Sequence, residues 1–179
     1  MRIIAGTARR TTLAAPQGLN TRPTSDMAKE GLFNIISAEI NGARFLDLFC
    51  GSGAVGLEAL SRGAKEAVFV DSHRAAIQAT KENVQKTHLH EKAEIMHCTV
   101  AQAIGKLSAT GRVFDIIFLD PPYETSLVAE TLQLLYSGNL LAQSGMIIAE
   151  TDSQFLPVNS PFPLYNTREY GRSTFLFYT

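Results

Sequence analysis

Apolar runs of strand length alternate with amphipathic runs of helix length from residue 44 to residue 150. This alternation restricts the fold more than any other feature of the chain. The strand-like pieces are "RFLDLF" (44–49), "EAVFVD" (66–71), "AEIMHC" (93–98), "FDIIFLD" (114–120) and "GMIIAE" (145–150). Helical patterning marks 54–62, 73–86, 99–107 and 126–136. Such alternation predicts an α/β fold, a mostly parallel sheet with helices on both faces and right-handed crossovers. The end breaks the pattern: "LYNTREYGRSTFLFYT" reads as two strands around Gly171-Arg172, a C-terminal antiparallel hairpin that brings the sheet to seven strands. Ahead of the alternation, residues 2–24 are short extended pieces broken by Gly6, Pro16-Gln17-Gly18 and Arg22-Pro23. Ser25 or Asp26 can cap a helix running to about Ile40, with Leu32, Ile35, Ile36 and Ile40 on one face.

In open α/β sheets, ligands bind beyond the carboxyl ends of the strands. The unusual residues of this chain gather there. The first strand ends at Phe49 and delivers Cys50-Gly51-Ser52-Gly53; the second ends at Asp71, the third at Cys98-Thr99, and the fourth at Asp120-Pro121-Pro122-Tyr123. Gly51 to Gly56 match G-x-G-x-x-G, and Asp71 follows 20 residues after Gly51. That is the spacing of a dinucleotide site, with the acid on a ribose hydroxyl. Three features pull away from a dinucleotide. Asp47 lies within the first strand, where a carboxylate would repel a pyrophosphate but receive a cation, directly or through water. The hairpin replaces the further parallel strands of a dinucleotide fold. The fourth strand stops on "FLDPPY".

Each feature also has a plainer reading. The glycine run can be a tight turn, Asp71 a helix cap and Pro121-Pro122 a strand stop. Cys50 and Cys98 read as small apolar fillers. His73, His88, His90 and His97 are scattered, and no metal partner is expected. The flanking Asp120 and Tyr123 argue for chemistry at the strand stop. An exocyclic amine on a nucleobase is a poor nucleophile because its lone pair is delocalised into the ring. Two acceptors, the Asp120 carboxylate and the Pro121 carbonyl, can hold its two hydrogens and aim the lone pair. The prolines restrict φ and remove competing N–H donors. Tyr123 offers a face for stacking, worth about 1–3 kcal/mol per base.

The glycine loop, Asp47, Asp71, the C-terminal hairpin and Asp120-Pro121-Pro122-Tyr123 together resemble the class I S-adenosylmethionine-dependent methyltransferases that modify amino groups of nucleobases. The resemblance sharpens over nearly the whole chain. "MRIIAGTARRTTL", "TRPTSDMAKEGLFNII", "FLDLFCGSGAVGLEALSRGA", "FLDPPY" and "YGRSTFLFY" stand in matching order in the bacterial family that methylates N2 of a guanine in small-subunit (16S) ribosomal RNA. The resemblance implies a Rossmann-like methyltransferase domain over 25–179 and an N-terminal β-hairpin extension over 1–24 that helps hold ribosomal RNA. It implies S-adenosylmethionine on Asp47, Phe49, Gly51, Gly53, Asp71, Ser72, Thr99 and Val100. Catalysis falls to Asp120, Pro121, Pro122 and Tyr123, and substrate contact to Arg2, Arg9, Arg10, Arg22, Thr24 and Tyr123. The implied partner is the small ribosomal subunit or its assembly intermediate. There are two departures: Thr99 stands where the family commonly has Asp or Asn, and Asp71 where Glu is more usual.

Charge agrees with an anionic partner for the extension. The whole chain has a net charge of −1. Residues 1–24 hold four arginines and no acid, whereas the rest holds 12 basic and 17 acidic residues. A basic arm on an acidic body suits a polyanion, although a solvated tail would carry the same charges. No apolar run reaches the roughly 20 residues of a membrane helix. No apolar stretch and small-residue cleavage site follow "MRIIAGTARR", and two cysteines without metal-site spacing suit a reducing compartment, so a cytoplasmic enzyme is expected. The competing functions are a DNA adenine or cytosine amino-methyltransferase, for which 179 residues leave little room for a target-recognition region, a non-catalytic nucleotide-binding module, and a dinucleotide oxidoreductase.

Overall fold

A computed structural model describes residues 1–18, 26–122, 125–152 and 159–179, with Thr125 as backbone. The described strands are β1 (Arg44–Leu48), β2 (Glu66–Asp71), β3 (Ala93–His97), β4 (Phe114–Leu119), β5 (Leu141–Asp152), β6 (Leu164–Tyr170) and β7 (Ser173–Tyr178). The helices are α1 (Asp26–Ile35), α2 (Ala54–Ser61), α3 (Arg74–Thr87), α4 (Val100–Ala109) and α5 (Thr125–Gly138). The strands form one sheet in the order β3-β2-β1-β4-β5-β7-β6. β1 to β5 pair in parallel, and β7 runs antiparallel to both β5 and β6.

Both sheet faces are covered, which is why the inner strands read as continuous apolar runs rather than alternating ones. Phe45, Phe69, Ile116, Phe118 and Phe175 point into a core shared with α1, α2 and the N-terminal segment. Leu46, Leu48, Val70, Leu119 and Ile147 point the other way, under α4 and α5. The strand order reverses between β1 and β4, so the loops after these two strands open on one crevice, the place where doubly wound sheets bind ligands.

Two elements depart from expectation. α1 ends at Ile35 rather than near Ile40. The Ser37 hydroxyl donates to the Asn34 carbonyl (3.1 Å), a local bond that competes with the helix ladder. Ile36 and Ile40 are still buried, carried by the turns that follow. β5 begins at Leu141, four residues before the expected start. It meets β4 at Leu141 and again from Met146, with a register shift between, so Ser144 and Gly145 sit inside an irregular strand.

The described part of the N-terminal segment, residues 1–18, folds back on itself at an antiparallel bridge, Arg2 with Thr12. Ile3 donates to the Thr11 carbonyl (3.0 Å), and Arg10 donates to that of Ile3 (2.8 Å). Ile3, Ala8 and Leu13 are buried against the body. Gly6 makes the approach possible: with φ of 83°, it lies so near α2 that a Cβ would fall 1.8 Å from the Ser61 carbonyl oxygen. The segment is also held by charge. Both carboxylate oxygens of the fully buried Glu58 accept backbone N–H groups, from Ile4 (2.8 Å) and Ala5 (3.0 Å). Glu58 pairs with buried Lys29 (3.1 Å) and with Arg62 (2.7 Å). Lys29 in turn donates to the Arg2 carbonyl (2.5 Å). Burial lowers the Lys29 pKa, and Glu58 opposes that shift.

Candidate active site

β1 ends at Leu48, and the chain then turns through three left-handed backbones: Phe49 (φ 61°), Gly51 (φ 55°) and Gly53 (φ 74°). Glycine takes this conformation without a Cβ penalty. A Cβ on Gly51 would meet nothing within 4 Å, so the loop borders open space there. The carbonyls behind the loop are tied down by α3: Thr80 Oγ1 donates to Gly51 (3.0 Å), and Asn83 Nδ2 donates to Ser52 (2.9 Å). Gly53 leads directly into α2, whose N-terminal amides face the same end of the sheet.

Two carboxylates frame the loop. Asp71, at the end of β2, accepts the N–H of Gly51 (3.0 Å) on one oxygen and that of His73 (2.8 Å) on the other. Asp47 is only 2% exposed. Its Oδ2 accepts the Gly56 N–H (2.9 Å), and Gly56 has no room for a side chain between Phe69 and Asp47. Burial pushes the Asp47 pKa up to about 7; the Gly56 N–H opposes the shift and the Asp71 charge adds to it.

After β3, Cys98 N–H donates to the Asp71 carbonyl (3.1 Å), and the His97 Nε2 lies 3.1 Å from the Ser72 carbonyl. Ser72 and Thr99 are exposed; Phe49 and Val100 are half-buried. Thr99 caps α4: its hydroxyl accepts from Gln102 N–H, and the Gln102 side chain accepts from Thr99 N–H, a reciprocal capping box.

Asp120 follows β4 beside β1, its N–H directed at the Leu48 carbonyl (3.4 Å). The strand registers set its direction. Leu119 pairs with Leu48 and with Ala149, so Asp120 projects on the same sheet face as Asp47 and Glu150. The Asp120 carboxyl is held well above the usual carboxylate range, first by burial, then by the charges of Glu150 and Asp47. Pro121 is half-buried and Pro122 exposed.

One sheet edge therefore gathers Asp47, Phe49, Gly51 and Gly53 from β1 and its loop, Asp71 and Ser72 from β2, Thr99 and Val100 after β3, and Asp120 and Pro121 after β4. Tyr123, Arg22 and Thr24 lie outside the described residues. On the N-terminal segment, Arg2, Arg9 and Arg10 are all exposed, and Arg2 also pairs with Asp26 (3.3 Å). Among the described residues, no three His, Cys, Asp or Glu side chains gather to hold a metal, and no helix is long and apolar enough to cross a membrane.

The profile of the family described as conserved hypothetical protein 95 matches residues 1–179. The chain is 37% identical, over 152 residues, to the ribosomal RNA small subunit methyltransferase D of Escherichia coli K12; the match covers 85% of this chain and 75% of that protein. The chain belongs to this methyltransferase family. The protein of the same name from Haemophilus influenzae is 35% identical over 153 residues, 85% of this chain and 79% of that one. The solved structure of a hypothetical protein from Thermus thermophilus superposes with a TM-score of 0.85 at 31% identity, covering 99% of this chain and 98% of that one.

Three further residues meet this sheet edge beyond those the sequence singles out. Glu150 stands at the end of the apolar run of β5 as Asp120 stands at the end of β4, and the acid closing "GMIIAE" was the available signal. Thr80 and Asn83 hold the glycine loop from α3, three residues apart on one helix face. Nothing in their spacing distinguishes them from ordinary buried polar residues.

Proposed function

We propose that the chain methylates the exocyclic N2 amine of a guanine in 16S ribosomal RNA, presented in the small ribosomal subunit or its assembly intermediate. The coarser statement, S-adenosylmethionine-dependent methylation of ribosomal RNA, follows from membership of the family. The position of Asp120, beside the glycine loop at the strand-order reversal, supports transfer to an exocyclic amine, and the whole-chain resemblance supports guanine N2 as that amine. S-adenosylmethionine supplies an electrophilic methyl group and carries an ammonium, a sulfonium and a ribose diol. The residues at the sheet edge suit those groups. Asp47 and Asp71 are acids, and Gly51 leaves space beside the backbone. Asp71 serves the ribose and Asp47 the cationic end.

Asp120 and the Pro121 carbonyl hold the two hydrogens of the guanine amine, so its lone pair points toward the methyl carbon. The nitrogen–carbon bond forms as the carbon–sulfur bond breaks, and the bonding pair leaves with sulfur. The surplus amine proton passes to water or to Asp120. Positioning supplies much of the rate. Nucleoside digestion after reaction of unmodified small subunits with labelled S-adenosylmethionine tests the base: label is expected in N2-methylguanosine, whereas N6-methyladenosine would refute the assignment. Label transferred to DNA in preference to RNA would instead favour the DNA amino-methyltransferase.

Asp71→Ala is expected to weaken S-adenosylmethionine binding by roughly 1–3 kcal/mol, the scale for losing hydrogen bonds to a charged group. A titration showing wild-type affinity would take Asp71 off the ribose. Asp47 adds a pH dependence. Its native pKa, about 7, lies above the ordinary value of 3.8. The unliganded fold therefore keeps a stabilising contribution that is complete below pH 3.8 and lost as pH rises through about 7. A cationic ligand favours the ionised carboxylate, so cofactor affinity should rise with pH up to about 7 and then level. Calorimetry in buffers of different ionisation enthalpy should register proton release on binding below that pH. Asp47→Asn should abolish it, and unchanged proton release in that variant would assign it to another group.

A further inference from the structure

Asn83 lies on α3, fully buried, and uses its whole amide to join two distant parts of the chain. Its Oδ1 accepts the Ala14 N–H (2.7 Å). Its Nδ2 donates both to the Ala14 carbonyl (2.9 Å) and to the Ser52 carbonyl (2.9 Å). Ala14 belongs to the basic N-terminal segment, whereas Ser52 lies between Gly51 and Gly53 of the cofactor loop. An amide is planar, so its three bonds are mutually constrained. Displacing the segment moves the donor that holds Ser52, and displacing the loop strains the pair with Ala14. The Asn83 amide is shielded from water, where a lost partner is costly.

We propose that Asn83 is a positioning residue that couples engagement of RNA by the N-terminal segment to the affinity of the glycine loop for S-adenosylmethionine. The inference rests on the reading that Arg9 and Arg10 meet the RNA. RNA docked on the segment holds Ala14 and Asn83 in place, so the cofactor meets a loop that is already ordered. Prior ordering by one ligand lowers the cost of ordering for the second. By linkage, the cofactor tightens RNA binding by the same factor.

The affinity of the wild-type enzyme for S-adenosylhomocysteine is to be measured with and without small ribosomal subunits from cells lacking the modification. The subunits should tighten it about fivefold or more, the lower range of common coupling. In Asn83→Asp and Asn83→Ala the ratio should fall below about twofold, under the range of common coupling. Two controls separate positioning from damage. Thr80→Val loses the bond to Gly51 but not the tie to Ala14, so it should weaken cofactor binding in both states and keep the ratio. Leu132→Ala, on the buried face of α5, should lower the melting temperature and keep the ratio as well. A wild-type ratio near one, or a wild-type ratio preserved in both Asn83 variants, overturns the coupling. The paired substitution Arg9→Glu with Arg10→Glu tests the underlying reading: it should weaken subunit binding and flatten its log–log salt slope by about 1.4–1.8. An unchanged slope removes the arginines from the RNA surface and the coupling with them. A changed slope beside an unaltered ratio in the Asn83 variants removes the coupling alone.

Discussion

Replacing Asp120 with alanine is expected to lower kcat by more than about 10²-fold, the scale for removing one positioned hydrogen-bonding group from a reacting centre. Cofactor affinity should change little, because the bonds that shape the glycine loop come from Asp71, Thr80 and Asn83. Asp120→Asn keeps one acceptor oxygen and should retain more activity than alanine. The acid limb of the rate profile carries the same information. The neighbouring charges of Glu150 and Asp47, added to burial, hold the Asp120 carboxyl in its protonated form to higher pH than usual. A protonated carboxyl is a weaker acceptor, so the rate should rise as pH rises and Asp120 ionises. Glu150→Gln removes one of the charges opposing ionisation and should move that limb toward lower pH. Wild-type turnover by Asp120→Ala, with cofactor still bound, would remove the acceptor role from this residue.

Glu58→Ala is expected to be the most destabilising single change outside the apolar core. It strands the buried Lys29 ammonium and unpairs two backbone N–H groups, those of Ile4 and Ala5. Breaking one side of a buried ion pair costs about 3–5 kcal/mol, which in a chain of this size lowers the melting temperature on the order of 10 °C. The damage should begin locally. Tryptic cleavage at Arg9 and Arg10 should become fast at temperatures where the sheet is intact, because Glu58 holds the residues just ahead of them. Replacing Lys29 and Glu58 together by Met and Gln should recover much of the loss, since no unpaired charge from that pair remains inside. If Glu58→Ala melted like the wild type, the network would be incidental to holding the segment.

The middle of the sheet was legible because β1, β2 and β4 are buried on both faces. A doubly covered parallel strand needs an unbroken apolar run, and "RFLDLF", "EAVFVD" and "FDIIFLD" stand out from the amphipathic helices between them. Asp47, Asp71 and Asp120 were legible for the converse reason: an acid in or closing such a run is costly to bury and calls for a partner or a purpose. The end of α1 was hidden because apolar spacing continues to Ile40; the turns after Ile35 bury the same residues that a longer helix would. The early start of β5 was hidden by Ser144-Gly145, which signals a turn locally but is carried by the sheet as an irregularity. The ties at Glu58, Thr80 and Asn83 depend on contacts across 29 to 69 positions of chain, and no local pattern encodes them. The arginines of the N-terminal segment were visible as charge alone. The structure leaves Arg2, Arg9 and Arg10 exposed and adds an ion pair from Arg2 to Asp26.

The most direct measurement is to incubate the enzyme with labelled S-adenosylmethionine and small ribosomal subunits from cells that lack the enzyme, and then to map the label along the RNA. A single labelled guanine, modified at N2, and no label with Asp120→Ala is the expected result. Label on an adenine or cytosine, or transfer that persists undiminished in Asp120→Ala, would contradict it.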